Sequence, residues 1–205
     1  MKELLSSVVI VCISFILLSV SREPGSSSTP KGLSRGLAQA QDAEVEGKKI
    51  VPFVPTPQDV VERMLEMAQV KAGDVVYDLG SGDGRIVVTA AKKYGVKAVG
   101  FEIDGELIKQ SRESIKKAGV AQLAEIRQQD IRSVDLAPAS VLTMYLLPEV
   151  NLMIRPNIWK QMKPGSRVVS HDFDMGDWKP VRTENIKDSS GWDHTLYLWR
   201  VETKK

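Results

Sequence analysis

The stretch VVYDLGSGDGRIVV, residues 75–88, places three glycines at alternate positions between a β-branched run and a helical one. Glycine tolerates the positive φ angles of a tight turn and lets a ligand come close to the backbone, so Gly80, Gly82 and Gly84 mark a strand turning straight into a helix. The pattern then repeats. Residues 85–94 read as a helix stopped by Gly95, 98–102 as a second strand, 105–118 as a helix, and 124–128 and 141–145 as strands three and four. A helix over 149–162, a fifth strand over 167–172 and a late strand with alternating faces over 195–201 follow. Upstream, Val60, Val61, Met64, Leu65 and Ala68 fall at helical spacing over 57–69, with Pro57 at the first helical position and Thr56 as the cap. This alternation predicts an α/β, Rossmann-like fold: a mostly parallel twisted sheet, helices on both faces, and a ligand at the carboxyl ends of the strands.

The ligand's chemistry follows from spacing and charge. A nicotinamide dinucleotide site wants Gly-x-Gly-x-x-Gly, and counted from Gly80 the last position is Arg85. Asp78, moreover, puts a carboxylate where a pyrophosphate loop avoids negative charge. A carboxylate there suits a cationic or amine-bearing ligand. S-adenosyl-L-methionine carries an amino group and a sulfonium and no phosphate, and it matches Asp78 with Gly80, Ser81, Gly82 and Gly84. Glu102, at the end of strand two, is spaced to accept both ribose hydroxyls, as an acidic residue does in dinucleotide folds. Asp130, after strand three, can accept from the adenine amino group beside the backbone of Ile131, or can simply cap a turn. Asp83 and Arg85 read as helix-start residues, Asp83 favoured there by the helix dipole.

Composition excludes several chemistries. The chain of 205 residues has a formal charge of +2, and beyond residue 40 it carries 24 residues of each sign, so no basic excess announces a nucleic-acid partner. The single cysteine, Cys12, rules out a disulfide framework, a Cys-ligated zinc site and an iron–sulfur cluster in the rest of the chain. The two histidines, His171 and His194, read as surface or structural residues, and no metal is expected. Trp159, Trp178, Trp192 and Trp199 are read as core or lid rather than a cage for a methylated amine.

The amino-terminal end is a region apart. Residues 4–20, LLSSVVIVCISFILLSV, form an uncharged run between the length of a signal-peptide core and that of a membrane span. The segment 1–21 is therefore read as an anchor or signal, 22–47 as a flexible linker rich in Gly, Ser and Pro, and 48–205 as the folded, ligand-binding domain. Retention as an anchor, with the domain on the cytoplasmic side, is the expected arrangement, because a domain that binds S-adenosylmethionine would find little of it outside the cytoplasm. The basic residues Arg22, Lys31 and Arg35 favour it slightly. Export after cleavage near Ala40 is the rival.

These motifs resemble the class I, seven-strand methyltransferases that use S-adenosylmethionine, and more closely the small lysine methyltransferases that include the mitochondrial enzyme acting on the c-ring protein of ATP synthase. The resemblance spans about residues 52–182 and rests on PFVPT (52–56), Met64-Leu65, GSGDGRIV (80–87), AAKK (90–93), AVGFE (98–102), Ser111-Arg112 and the trio Phe173, Trp178 and Pro180. It implies methyl transfer to a protein lysine, with a membrane protein as one candidate substrate. The chain departs from that pattern at MYLLP (144–148), which puts the acceptor pocket in question. A lysine must lose its proton before it can attack, and Tyr145 and Asp172, at the ends of strands four and five, are the candidate acceptor-side groups, though each can also serve structure alone. A small-molecule methyltransferase and a non-catalytic cofactor-binding protein are the alternatives.

Overall fold

The computed structural model describes residues 52–203. The apolar run, the linker and the expected boundaries near residues 21 and 47 lie outside them. Among the described residues no helix is long and apolar enough to cross a membrane.

Seven strands form one sheet in the order β3-β2-β1-β4-β5-β7-β6. β1 (Val75–Leu79), β2 (Lys97–Glu102), β3 (Ala124–Gln128), β4 (Val141–Met144) and β5 (Arg167–His171) run parallel, and β7 (Asp193–Arg200) is antiparallel to both β5 and β6 (Arg182–Lys187). The expected α/β architecture is therefore present. β1 lies between β2 and β4, so the strand order reverses there and opens a crevice at the carboxyl ends, where ligands of such sheets bind. β6 has no counterpart in the sequence reading. Its residues, RTENIK, are mostly polar and mostly exposed, as suits an edge strand held by its ladder to β7 rather than by an apolar face.

The period of two along each strand divides the interior into two cores. Val76, Ala98, Val141, Val169, Leu196 and Leu198 face α1 (Gln58–Met67), α2 (Arg85–Tyr94) and α3 (Gly105–Ala118). Their strand neighbours Tyr77, Leu79, Val99, Leu142, Met144, Val168 and Trp199 face the other way, onto α4 (Pro148–Gln161) and the short 3-10 turn Ile131–Ser133. One strand thus supplies both cores, and a slip of one residue would exchange its faces. At the opposite end of the strands from the crevice the buried Arg167 guanidinium pairs with Asp74 and locks the starts of β5 and β1 together. Removing Asp74 would leave that charge buried alone, a cost of about 3–5 kcal/mol.

The helix ends follow local chemistry. Asp104 caps α3 by accepting from the N–H groups of Glu106 and Leu107, and Gly95 and Gly119 end α2 and α3 in the left-handed region. Thr56 does not cap α1. Pro57 is the N-cap, and the Thr56 hydroxyl instead lies 3.1 Å from Nδ1 of His171.

Candidate active site

The glycine loop is welded to the end of β2. Gly80, Gly82 and Gly84 all have positive φ, and a Cβ on Gly80 would come within 2.8 Å of Leu146, so strain and crowding together exclude larger residues there. The N–H groups of Gly80 and Ser81 both donate to the Phe101 carbonyl, at 2.9 and 3.0 Å, that of Gly82 to Glu102 Oε2 at 2.9 Å, and that of Gly84 to the Ser81 carbonyl. A phosphate cradle needs such N–H groups free. Here they are spent within the loop, which suits a ligand without phosphates. The Ser81 side chain is buried against Gly100 and its hydroxyl has no protein partner.

The carboxylates divide by what already engages them. Asp78 is 2 % exposed, its Oδ1 accepts from the Thr143 hydroxyl at 2.7 Å, and Thr143 is its register partner on β4. Burial drives its pKa up to about 7, the Thr143 bond opposes this, and the charges of Glu102 and Asp83 add to it. Among the described residues no cation pairs with this buried carboxylate, which is what an ammonium-bearing ligand would complete. Glu102 is held by three backbone donors, Gly82 on Oε2 and Ile103 and Asp104 on Oε1, so its carboxylate is fixed while further lone pairs stay available for hydroxyls. Asp130 is engaged differently. It caps the 3-10 turn through the Arg132 N–H and pairs with the Arg132 guanidinium, which holds its pKa below the usual carboxylate range. Both Asp130 and the buried Ile131 nevertheless line the same cavity as Asp78, Gly80, Ser81, Gly82 and Glu102.

Several residues in or behind this wall carried no cofactor or acceptor role in the sequence reading, among them Thr143, Phe53 and Arg85. Thr143 is invisible without the β1–β4 register. Phe53 lies over Gly82, whose added Cβ would meet its ring at 2.3 Å, so the PFVPT segment forms a roof on the cavity. Arg85 joins that roof to the loop: its guanidinium pairs with Asp83 and donates to the Thr56 carbonyl at 2.7 Å. Asp83 and Arg85 are thus an ion pair that positions the roof, beyond the helix-start role their place in the sequence suggested.

Across the cavity stand Tyr145, Leu146, Leu147 and Phe173. Tyr145 and Asp172 each lie just past their strands, which end one residue earlier than the sequence bounds placed them, and the structure brings the two together: the Tyr145 hydroxyl donates to Asp172 Oδ2 at 3.2 Å. Burial first, then the Asp172 charge, raise the Tyr145 pKa above the usual tyrosine value, so it remains a neutral hydroxyl. Behind it lies His171, wholly buried rather than at the surface, with its ring centroid 3.9 Å from that of Tyr145 and its Nε2 2.9 Å from His194 Nδ1. None of the tryptophans lines the cavity: Trp199 is core, stacked near Trp178 and Tyr197, while Trp192 is 73 % exposed.

The family model described as the ANTKMT methyltransferase domain matches residues 78–182. The chain is 47 % identical over 156 residues to a protein-lysine N-methyltransferase of Saccharolobus islandicus, covering 76 % of this chain and 96 % of that one. It is 33 % identical over 148 residues to the adenine nucleotide translocase lysine N-methyltransferase of Mus musculus, covering 72 % of this chain and 64 % of that one. Among solved structures it resembles an RNA methyltransferase from Salinibacter ruber in complex with S-adenosyl-L-homocysteine, with 52 % identity, a TM-score of 0.69, and coverage of 74 % of this chain and 96 % of that one.

Proposed function

The chain belongs to the ANTKMT methyltransferase domain family and is an S-adenosylmethionine-dependent methyltransferase, and from that premise we propose that its acceptor is a lysine side chain of a protein. The observation that carries the lysine assignment is the similarity to the Saccharolobus protein-lysine N-methyltransferase over nearly all of its length. The acceptor wall supports it.

S-adenosylmethionine, when bound, supplies a methyl group already activated by a positive sulfur, so the protein contributes position, exclusion of water and control of protons. Asp78 would hold the amino end, Glu102 the ribose hydroxyls, and Asp130 with the Ile131 backbone the adenine, along the glycine loop of Gly80, Ser81 and Gly82; Gly84, expected to join them, lies outside the cavity lining and packs toward Ser111 of α3 instead. The incoming lysine must be neutral, and the apolar wall of Leu146, Leu147 and Phe173 disfavours its charged form. Tyr145 gives its proton to the hydrogen bond with Asp172, which leaves its oxygen lone pairs to accept from the amine N–H and turn the nitrogen lone pair toward the methyl group. Tyr145 is then an orienting hydroxyl rather than a base.

The Salinibacter relative favours one second reading, an RNA acceptor. Against it stands the even balance of charge beyond residue 40, which supplies no excess of cations for phosphates. Incubating the full chain with tritiated S-adenosylmethionine and a cell extract separates the readings. Label in a protein band, released by acid hydrolysis as methyllysine, is expected. Label removed by ribonuclease and untouched by protease would overturn the lysine assignment, and label in solvent-extractable material would point to a small-molecule acceptor.

We propose in addition that residues 1–21 act as an uncleaved anchor that leaves the domain on the cytoplasmic side, close to a membrane-protein substrate. The uncharged run and the basic flank support this. Protease added to intact spheroplasts should leave the domain untouched. A mature chain beginning at Gln41 and released with the periplasm would refute it.

A further inference from the structure

The antiparallel pairing of β5 with β7 brings together the chain's two histidines and a carboxylate. His171 pairs with Leu196 in the ladder, and Asp172 continues it by donating its N–H to the Thr195 carbonyl, so His194 arrives beside His171. Among the described residues His171, Asp172 and His194 are a group whose ligand atoms converge. The three separations are 2.9 Å from His171 Nε2 to His194 Nδ1, 3.3 Å from His171 Nε2 to Asp172 Oδ2, and 3.8 Å from His194 Nδ1 to Asp172 Oδ2. A point equidistant from the corners of that triangle lies about 2.0 Å from each, which is the length of zinc–imidazole and zinc–carboxylate bonds.

Each of the three groups is also anchored by its other polar atom. His194 Nε2 lies 3.3 Å from Asp188 Oδ2, and a carboxylate can only accept, so the proton belongs on Nε2 and the lone pair on Nδ1. His171 Nδ1 faces the Thr56 hydroxyl. Asp172 Oδ1 accepts from the Thr195 N–H at 2.9 Å, which leaves Oδ2 turned to the rings. These are the outer hydrogen bonds that orient metal-binding histidines and carboxylates. Asp172 further adopts φ 60°, a left-handed conformation uncommon outside glycine and of the kind held at functional sites.

We propose that His171 Nε2, His194 Nδ1 and Asp172 Oδ2 form a binding site for one divalent transition-metal ion, a two-histidine, one-carboxylate site with its open side toward Tyr145. The Tyr145 hydroxyl, 3.2 Å from Asp172 Oδ2, stands at the ligand-to-ligand spacing of such a site. The ion would fix the Tyr145–Asp172 pair and with it the acceptor wall of the cavity. This departs from the expectation drawn from the small number of histidines, because the third ligand is a carboxylate. A competing arrangement without metal places a proton on His171 Nε2 and donates it to His194 Nδ1.

The two arrangements are separable in the untagged full chain, whose histidine spectrum contains only these two rings. Chelator-treated, 15N-labelled protein titrated with Zn²⁺ should show both histidine side chains shifting together and saturating at one equivalent, and Co²⁺ should give visible absorption bands displaced by Zn²⁺. His194→Ala, checked for S-adenosylhomocysteine binding as a sign of intact fold, should lose the absorption. If both rings keep their metal-free shifts at one equivalent and report a proton on His171 Nε2, or if His194→Ala binds Co²⁺ as the parent does, the site is not a metal site.

Discussion

The two walls of the cavity are built by different means. The wall proposed to hold the cofactor comes from short contiguous pieces: the glycine loop, the end of β2 and the turn after β3, held by main-chain hydrogen bonds onto Phe101 and Glu102. The wall proposed for the acceptor is Tyr145, Leu146, Leu147 and Phe173, backed by Thr56, His171, Asp172 and His194 from segments far apart in the chain and held by side-chain bonds and ring contacts. A wall fixed by backbone serves one ligand with little tolerance for change. A wall fixed by side chains can vary its acceptor while the donor stays the same.

That contrast predicts where substitutions fall. Asp78→Asn strikes the cofactor wall hardest, since a neutral amide cannot complete an ammonium: affinity for S-adenosylmethionine should fall by about 3–5 kcal/mol, more than a hundredfold. The same change should stabilise the ligand-free protein. The raised pKa of Asp78 means that its contribution to stability is fully present below the unfolded value of 3.8 and is lost as the pH rises through about 7. Asn removes that loss, so the variant's melting temperature should exceed the parent's most clearly above pH 7. Calorimetry and thermal melts read the two effects together, and tight binding by the variant would mean that Asp78 does not meet the amino group.

Glu102→Ala should come next, weakening the cofactor by ~1.5–3 kcal/mol, the range for hydrogen bonds to a charged group, while the fold survives. Unchanged affinity would remove Glu102 from the site. A pH series sharpens the role of Asp78 without mutation. Because the cation requires an ionised carboxylate, cofactor affinity should drop by up to tenfold, about 1.4 kcal/mol, for each pH unit below about 7. A profile flat from pH 5 to 8 would refute the linkage.

The smallest effect belongs to the other wall. Tyr145→Phe keeps the ring against His171 and removes only the hydroxyl, so turnover should fall by about 1 kcal/mol, roughly fivefold, with cofactor affinity unchanged. Loss of cofactor binding with turnover intact would reverse the division between the walls.

Legibility in the sequence follows the same line. The helices over Arg85–Tyr94 and Gly105–Ala118 and the strand Ala124–Gln128 have the expected bounds, since glycine stops and hydrophobic period act locally. β6 escaped because an edge strand made of RTENIK has no apolar period of its own. Thr56 resembled a cap because capping residues are recognised by their neighbours in sequence, yet its hydroxyl is directed to His171, 115 residues away.

By itself the sequence determined the α/β sheet, the strand-to-helix glycine loop, the choice of a phosphate-free cationic ligand and the acidic residue at the end of β2. All of these are set by residues within a few positions of one another, where steric freedom and charge act without reference to the rest of the chain. Only the tertiary structure decided that Thr143 meets Asp78, that Arg85 ties the roof to the loop, and that two histidines read as surface or structural residues stand 2.9 Å apart beside Asp172. Those contacts depend on strand order and register. Register is chosen by burying every strand's apolar face at once, a condition no single segment can express.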